Sequence, residues 1–195
     1  MPDARPNGKA PFRRGLTVAL VLALLTPVTG LASDRPLPAI VADAIGALQP
    51  VGTGQLRWMG LRIYEATLWT PDGEYNEGSG PFALAIRYQR DIPSNRLVRT
   101  TMEEMERLDV GGPSVDEWER RLSEIFPDVK PGDRIVGVAL PDQGTRFVLE
   151  RGSETNGAAE VIGQIDDAAF TSAFFAIWLN KDTRLPGLRR ELVGR

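Results

Sequence analysis

Apolar and polar residues change rhythm several times along this chain, and each change marks an element. Over residues 52–71 the period is two. Leu56 and Trp58 alternate with Arg57 and Met59, and beyond Gly60 the residues Ile63 and Thr67 alternate with Tyr64, Ala66 and Leu68. Two strands that meet near Gly60 and pair antiparallel satisfy this pattern. Residues 82–89 alternate cleanly, with Phe82, Leu84, Ile86 and Tyr88 on one face and Ala83, Ala85 and Arg87 on the other. From 94 to 108 the period becomes helical: Leu97, Val98, Thr101, Met102, Met105 and Leu108 form one stripe. Gly111-Gly112-Pro113 stops that helix, and Ser114 with Glu117 forms a capping box for a second one striped by Val115, Trp118, Leu122 and Ile125.

The remainder repeats these themes. Residues 134–140 and 145–150 read as a hairpin across Pro141-Asp142-Gln143-Gly144, and 158–162 add a short strand. A helix capped by Asp166 runs to about Leu179 with Phe170, Ala173, Phe174, Ile177 and Trp178 on a broad aromatic face. Short helices are expected at 39–48, with Ile40, Ala44, Ile45 and Leu48 as the apolar side, and at 186–193. Neighbouring strands are joined by hairpin-length turns, so the expected fold is α+β: an open-faced sandwich, an antiparallel sheet with helices layered on one face.

The first 32 residues break this organisation. Arg5, Lys9, Arg13 and Arg14 precede an apolar run at 16–25, Thr26-Pro27 ends it, and Gly30-Leu31-Ala32 supplies small residues for cleavage. This predicts an export signal over 1–32, cut after Ala32, followed by one domain over 33–195 in the periplasm. A retained N-terminal anchor is the alternative reading, and Arg13-Arg14 leaves the export route open. Removing the leader takes four of 23 basic and one of 26 acidic residues, leaving 19 against 25 and a net charge of −6. That balance predicts neither a nucleic-acid nor a membrane-surface partner, and no stable membrane insertion of the mature chain.

Composition narrows the chemistry further. With no cysteine and no histidine among 195 residues, thiolate nucleophiles, imidazole acid/base catalysis and ordinary zinc sites are excluded. Phosphate-binding glycine motifs and a nucleophile elbow are also missing, so no cofactor and no metal is expected. Glu103, Glu104 and Glu106 read as a solvated helix face, and Asp166-Asp167 as helix-terminal carboxylates. Two candidates remain. Arg57 offers a planar fork of donors and Tyr64 a phenolic donor, together suited to a carboxylate or enolate-like oxygen; a solvent-facing arginine beside a core-edge tyrosine is the plainer reading. The aromatic helix could line a ligand cavity or only pack the core.

The stretches GTGQLRWMGLRIYEATLW, FALAIRYQRDIPSNRLVRTTMEEMERL and FTSAFFAIWLNKDTRLPGLRRELVG resemble, in that order, the bacterial chalcone isomerase-like family, with the tail as the most specific part. The resemblance implies an open-faced sandwich with a ligand cleft between sheet and helices. It also implies either ring-closing isomerase chemistry assisted by an arginine or, in relatives without activity, fatty-acid binding through an arginine and a tyrosine of the first strand pair. On this chain those would be Arg57 and Tyr64, with Met102, Met105 and Phe174 as wall residues. Tyr64 stands where the plant enzymes carry threonine, and their helix tyrosine and asparagine have no counterpart in 92–105. The expectation is therefore a non-catalytic binder of a small amphipathic or acyl ligand. An isomerase acting on an enone-like substrate, or an interaction protein with a self-filled cleft, are the alternatives.

Overall fold

Each period-two stretch pairs with its neighbour in sequence. The strands β1 (Gln49–Trp58), β2 (Leu61–Thr70), β3 (Phe82–Tyr88), β4 (Arg134–Leu140), β5 (Gly144–Glu150) and β6 (Ala159–Ile165) form one antiparallel sheet in the order β1-β2-β3-β4-β5-β6. The helices are α1 (Ala39–Ile45), α2 (Ser94–Arg107), α3 (Val115–Ile125), α4 (Ala168–Leu179) and α5 (Pro186–Leu192). This computed structural model describes residues 35–78, 80–110, 114–140, 143–152 and 158–194. The leader read at 1–32, the Gly111-Gly112-Pro113 stop and the Pro141-Asp142 half of the second turn lie outside them.

The α+β open sandwich read from the sequence is the architecture found. Alternation sends Ala66, Leu68, Leu84, Ile86, Tyr88, Phe147 and Leu149 to one face, where they join buried residues of α2, α3, α4 and α5 in the main core. The opposite face carries Trp69, Ala83, Ala85, Val136, Val138 and Val148, and here α1 lays Val41 against the sheet. Among the described residues four helices thus layer one side, and the seven-residue α1 covers the other.

Helix α4 is the central support. Phe170, Ala173, Phe174, Phe175, Ile177, Trp178 and Leu179 are all buried, so it is apolar around its circumference rather than along one stripe, as a helix wedged between layers must be. Its cap is Asp167 rather than Asp166. One Asp167 oxygen accepts from the Ala169 and Phe170 amides at 2.7 and 3.2 Å, and the other accepts from Trp118 Nε1 at 2.9 Å. The buried Trp118 indole needs such a partner. Asp166 instead bonds Gln164. The capping box expected at Ser114 and Glu117 does not form, because the Ser114 side chain makes no cap bond and Glu117 pairs with Arg120.

Burial raises the Asp167 pKa, but the Trp118 and backbone donors outweigh it and hold the carboxyl below its usual range. Stability from such a group is fully present above the unfolded-state value near ~3.9 and is lost as pH falls through the depressed folded value. Asp167→Ala is expected to cost about 0.5–2 kcal/mol near neutral pH. The gap between wild type and variant, read from urea denaturation, should close on acidification.

Helix α5 reaches the sheet at β1 because two β1 residues lack side chains. A Cβ at Gly52 would stand 2.0 Å from the Glu191 carbonyl oxygen, and one at Gly54 would stand 2.5 Å from Leu188 Cδ1. Only glycine admits this approach.

Candidate ligand cavity

Between the main-core face of the sheet and helices α2 and α4 lies a cavity of about 610 Å³, well within the range of small-molecule sites. Leu84 and Ile86 of β3 and Ile135 of β4 form its floor. Leu97 and Thr101 of α2 face Phe174 and Ile177 of α4 across it. Trp58 and Leu61, at the end of the β1–β2 hairpin, and Arg90 and Arg96 stand at its mouth.

Of the five side chains marked in the sequence, Tyr64 and Phe174 line this space. Met105 is buried in the core, and Met102 is half-buried against the same core; neither lines the cavity. The expectation that Arg57 meets Tyr64 at the ligand needs correcting in its geometry. Leu56 and Trp58 line the cavity, so the pleat turns the intervening Arg57 to the other face. There it is exposed, donates from Nη2 to Gln55 Oε1 at 3.3 Å and sits opposite Arg62 across the hairpin.

Tyr64 finds a different partner. It stands directly opposite Tyr88 across β2–β3, with ring centroids 6.5 Å apart in an edge arrangement. The Tyr64 hydroxyl accepts from Trp178 Nε1 at 2.9 Å, which leaves its own proton free to donate. Tyr88 lines the cavity and is 6% exposed, yet among the described residues its hydroxyl has no hydrogen-bond partner. Burial pushes the pKa of both phenols well above its ordinary value; the Trp178 bond offsets part of the rise at Tyr64, and the Glu104 carboxylate adds to it. Both hydroxyls are therefore protonated donors at physiological pH.

The carboxylate at the rim is not a free base. Glu104, read from the sequence as solvated, is largely covered and accepts from Arg107 Nε at 2.9 Å and from Arg184 Nη1 at 3.0 Å. Glu103 and Glu106 on the same helix are exposed, as expected. The Arg three residues on was the available signal, since that spacing places the two side chains together on a helix. Arg90 and Arg96 form no ion pair among the described residues and leave the mouth positive, with Asp91 the one other carboxylate lining it. The sequence reading did not single out Tyr88, Arg90, Arg96 or Arg184, whereas Ile177 and Trp178 lie on the aromatic helix face it offered as a cavity wall. Only Tyr88 carried a usable mark, through its shared face with Leu84 and Ile86.

Comparison with known proteins agrees with this architecture. The sequence model of the chalcone isomerase-like family matches residues 47–194, and the chain belongs to that family. It is 30% identical over 147 residues to an uncharacterized protein of Haemophilus influenzae, covering 75% of this chain and 68% of that one. The fold is similar to the crystal structure of a fatty-acid binding protein of Arabidopsis thaliana, with a TM-score of 0.57, 12% identity, and coverage of 80% of this chain and 90% of the other.

Proposed function

We propose that the protein binds a monoacyl amphipath, with the chain between sheet and helices and an oxygen-rich head received by Tyr64 and Tyr88. The observation that carries this reading is an apolar cavity into which a buried, protonated phenol projects without a protein partner. The Tyr88 hydroxyl is not sealed by protein but opens on the cavity, where a ligand carboxylate or carbonyl oxygen would accept its proton. Arg90 and Arg96 at the mouth favour an anion over a neutral oil. The likeness of fold to a plant fatty-acid binding protein supports the same class of ligand. The leader read at 1–32 makes the exported compartment part of this reading, and fractionation of cells expressing the full chain tests it.

Native mass spectrometry of the purified protein should show a co-purifying acyl species, and titration of stripped protein with palmitate should saturate at one site. Tyr88→Phe keeps the ring and removes the donor, and is expected to weaken palmitate binding about tenfold. Protein that arrives empty and takes up no fatty acid would sink the proposal.

A further inference from the structure

The tip of the β1–β2 hairpin is built against the usual rules for a solvent-facing turn. Its four residues are Trp58-Met59-Gly60-Leu61, and Met59 and Gly60 both have positive φ, 48° and 78°. A two-residue turn of this kind favours Asn-Gly, since a methionine there is strained. It is also 80% exposed, beside Trp58 at 64% and Leu61 at 47%. Directly behind the tip Arg57 and Arg62 stand opposite each other, a like-charge pair that the sheet pays for. Neither makes an ion pair among the described residues.

The hairpin also overreaches its neighbour. The last bond that β2 shares with the β3 side is from the Gln89 amide to the Ile63 carbonyl, at 2.9 Å. Leu61, Arg62 and the turn extend beyond it, by about 7 Å at the rise of a strand. That length matches the depth to which interfacial segments enter the headgroup and acyl boundary. Arg90 and Arg96 flank the same mouth on the cavity side, so the apolar point carries arginines on both faces, with Asp91 and the half-buried Glu65 as the nearby carboxylates.

We propose that this tip docks the protein on an anionic lipid surface, with Trp58, Met59 and Leu61 entering the interface and Arg57, Arg62, Arg90 and Arg96 meeting phosphate. A narrow projecting point suits a bilayer better than a protein partner, which needs a broad complementary patch. The overall negative charge argues against membranes only when averaged over the surface; the tip concentrates the opposite sign. Because Trp58 and Leu61 also line the cavity mouth, docking would open the cavity toward the bilayer. That last step rests on the ligand reading above, whereas the docking itself does not.

Co-flotation with vesicles of phosphatidylcholine containing one-third phosphatidylglycerol tests the docking. The protein is expected to float with these, less with pure phosphatidylcholine, and less at high salt. Met59→Asn should weaken the association about tenfold while the melting temperature stays level or rises, because the strained turn is relieved. Arg57→Gln with Arg62→Gln should remove most of the dependence on phosphatidylglycerol. Thr101→Phe, which fills the cavity, should float as the wild type does, so loss of palmitate binding and loss of docking are separable. No flotation on either vesicle, or flotation unchanged by the tip variants, overturns the docking.

Discussion

Thr101→Phe is expected to abolish measurable palmitate binding, by about a hundredfold or more, while leaving the protein folded with nearly its original melting temperature. Thr101 lies on α2, is half-buried, and lines the cavity opposite the α4 wall. A phenyl ring there occupies space the acyl chain needs, and a hundredfold loss corresponds to about 2.7 kcal/mol of binding. In a packed interior such a substitution costs about 1–3 kcal/mol through strained rotamers. Here the ring enters existing space, so new apolar burial offsets that cost, and threonine and phenylalanine have similar helix propensities. Phenylalanine is preferred over tryptophan because it brings no N–H that burial would leave unpaired. Calorimetric titration with palmitate and a thermal melt decide the matter together. Retained affinity in a folded variant places the ligand elsewhere, while an unfolded variant indicates that α2 cannot accept the ring.

The sheet was legible because its strands obey one rule. Ala83 to Tyr88 alternates without fault, and the structure places those side chains on the two faces accordingly. The first hairpin was legible only in outline. Leu56 pairs with Tyr64 but Arg57 pairs with Arg62, so β2 carries one extra residue at Ile63. A bulge of this kind reverses the parity of everything beyond it. It is why Leu61, Ile63 and Tyr64 all reach the cavity, and no reading of alternation within one strand could reveal it. The partner of Tyr64 depends on a register between strands that are 24 residues apart at Tyr64 and Tyr88, which sequence spacing leaves undetermined. Arg57 was chosen for its donor fork and kept through the resemblance, although its alternation with Leu56 and Trp58 already gave it the opposite face. Met105 shows the other limit. A stripe residue marks what faces inward, but not whether it meets packed core or open space.

Glu150→Ala is expected to destabilise the fold by about 3–5 kcal/mol, about a fifth or more of the roughly 5–15 kcal/mol typical of a domain. Glu150 lies directly opposite Arg134 across β4–β5, and the two are 5% and 6% exposed. Their side chains are ion-paired and hydrogen-bonded. The remaining Arg134 donors are also engaged: Nη1 reaches the Arg35 carbonyl at 2.9 Å and Nη2 the Pro36 carbonyl at 2.7 Å. Removing the carboxylate leaves a buried guanidinium with only neutral acceptors. The penalty is that uncompensated charge, not the attraction lost, so replacing both partners by apolar residues of similar volume, Arg134→Met with Glu150→Leu, should recover much of the loss. Recovery would be incomplete, because the double variant also forfeits the two bonds that tie the segment ahead of α1 to the sheet. Urea denaturation of the single and double variants measures both effects. Palmitate affinity of the folded fraction should not change, since this pair contacts Arg35 and Pro36 and takes no part in lining the cavity. A Glu150→Ala protein as stable as wild type would show that the guanidinium escapes to water, and that the segment at Arg35 is held by α1 packing alone.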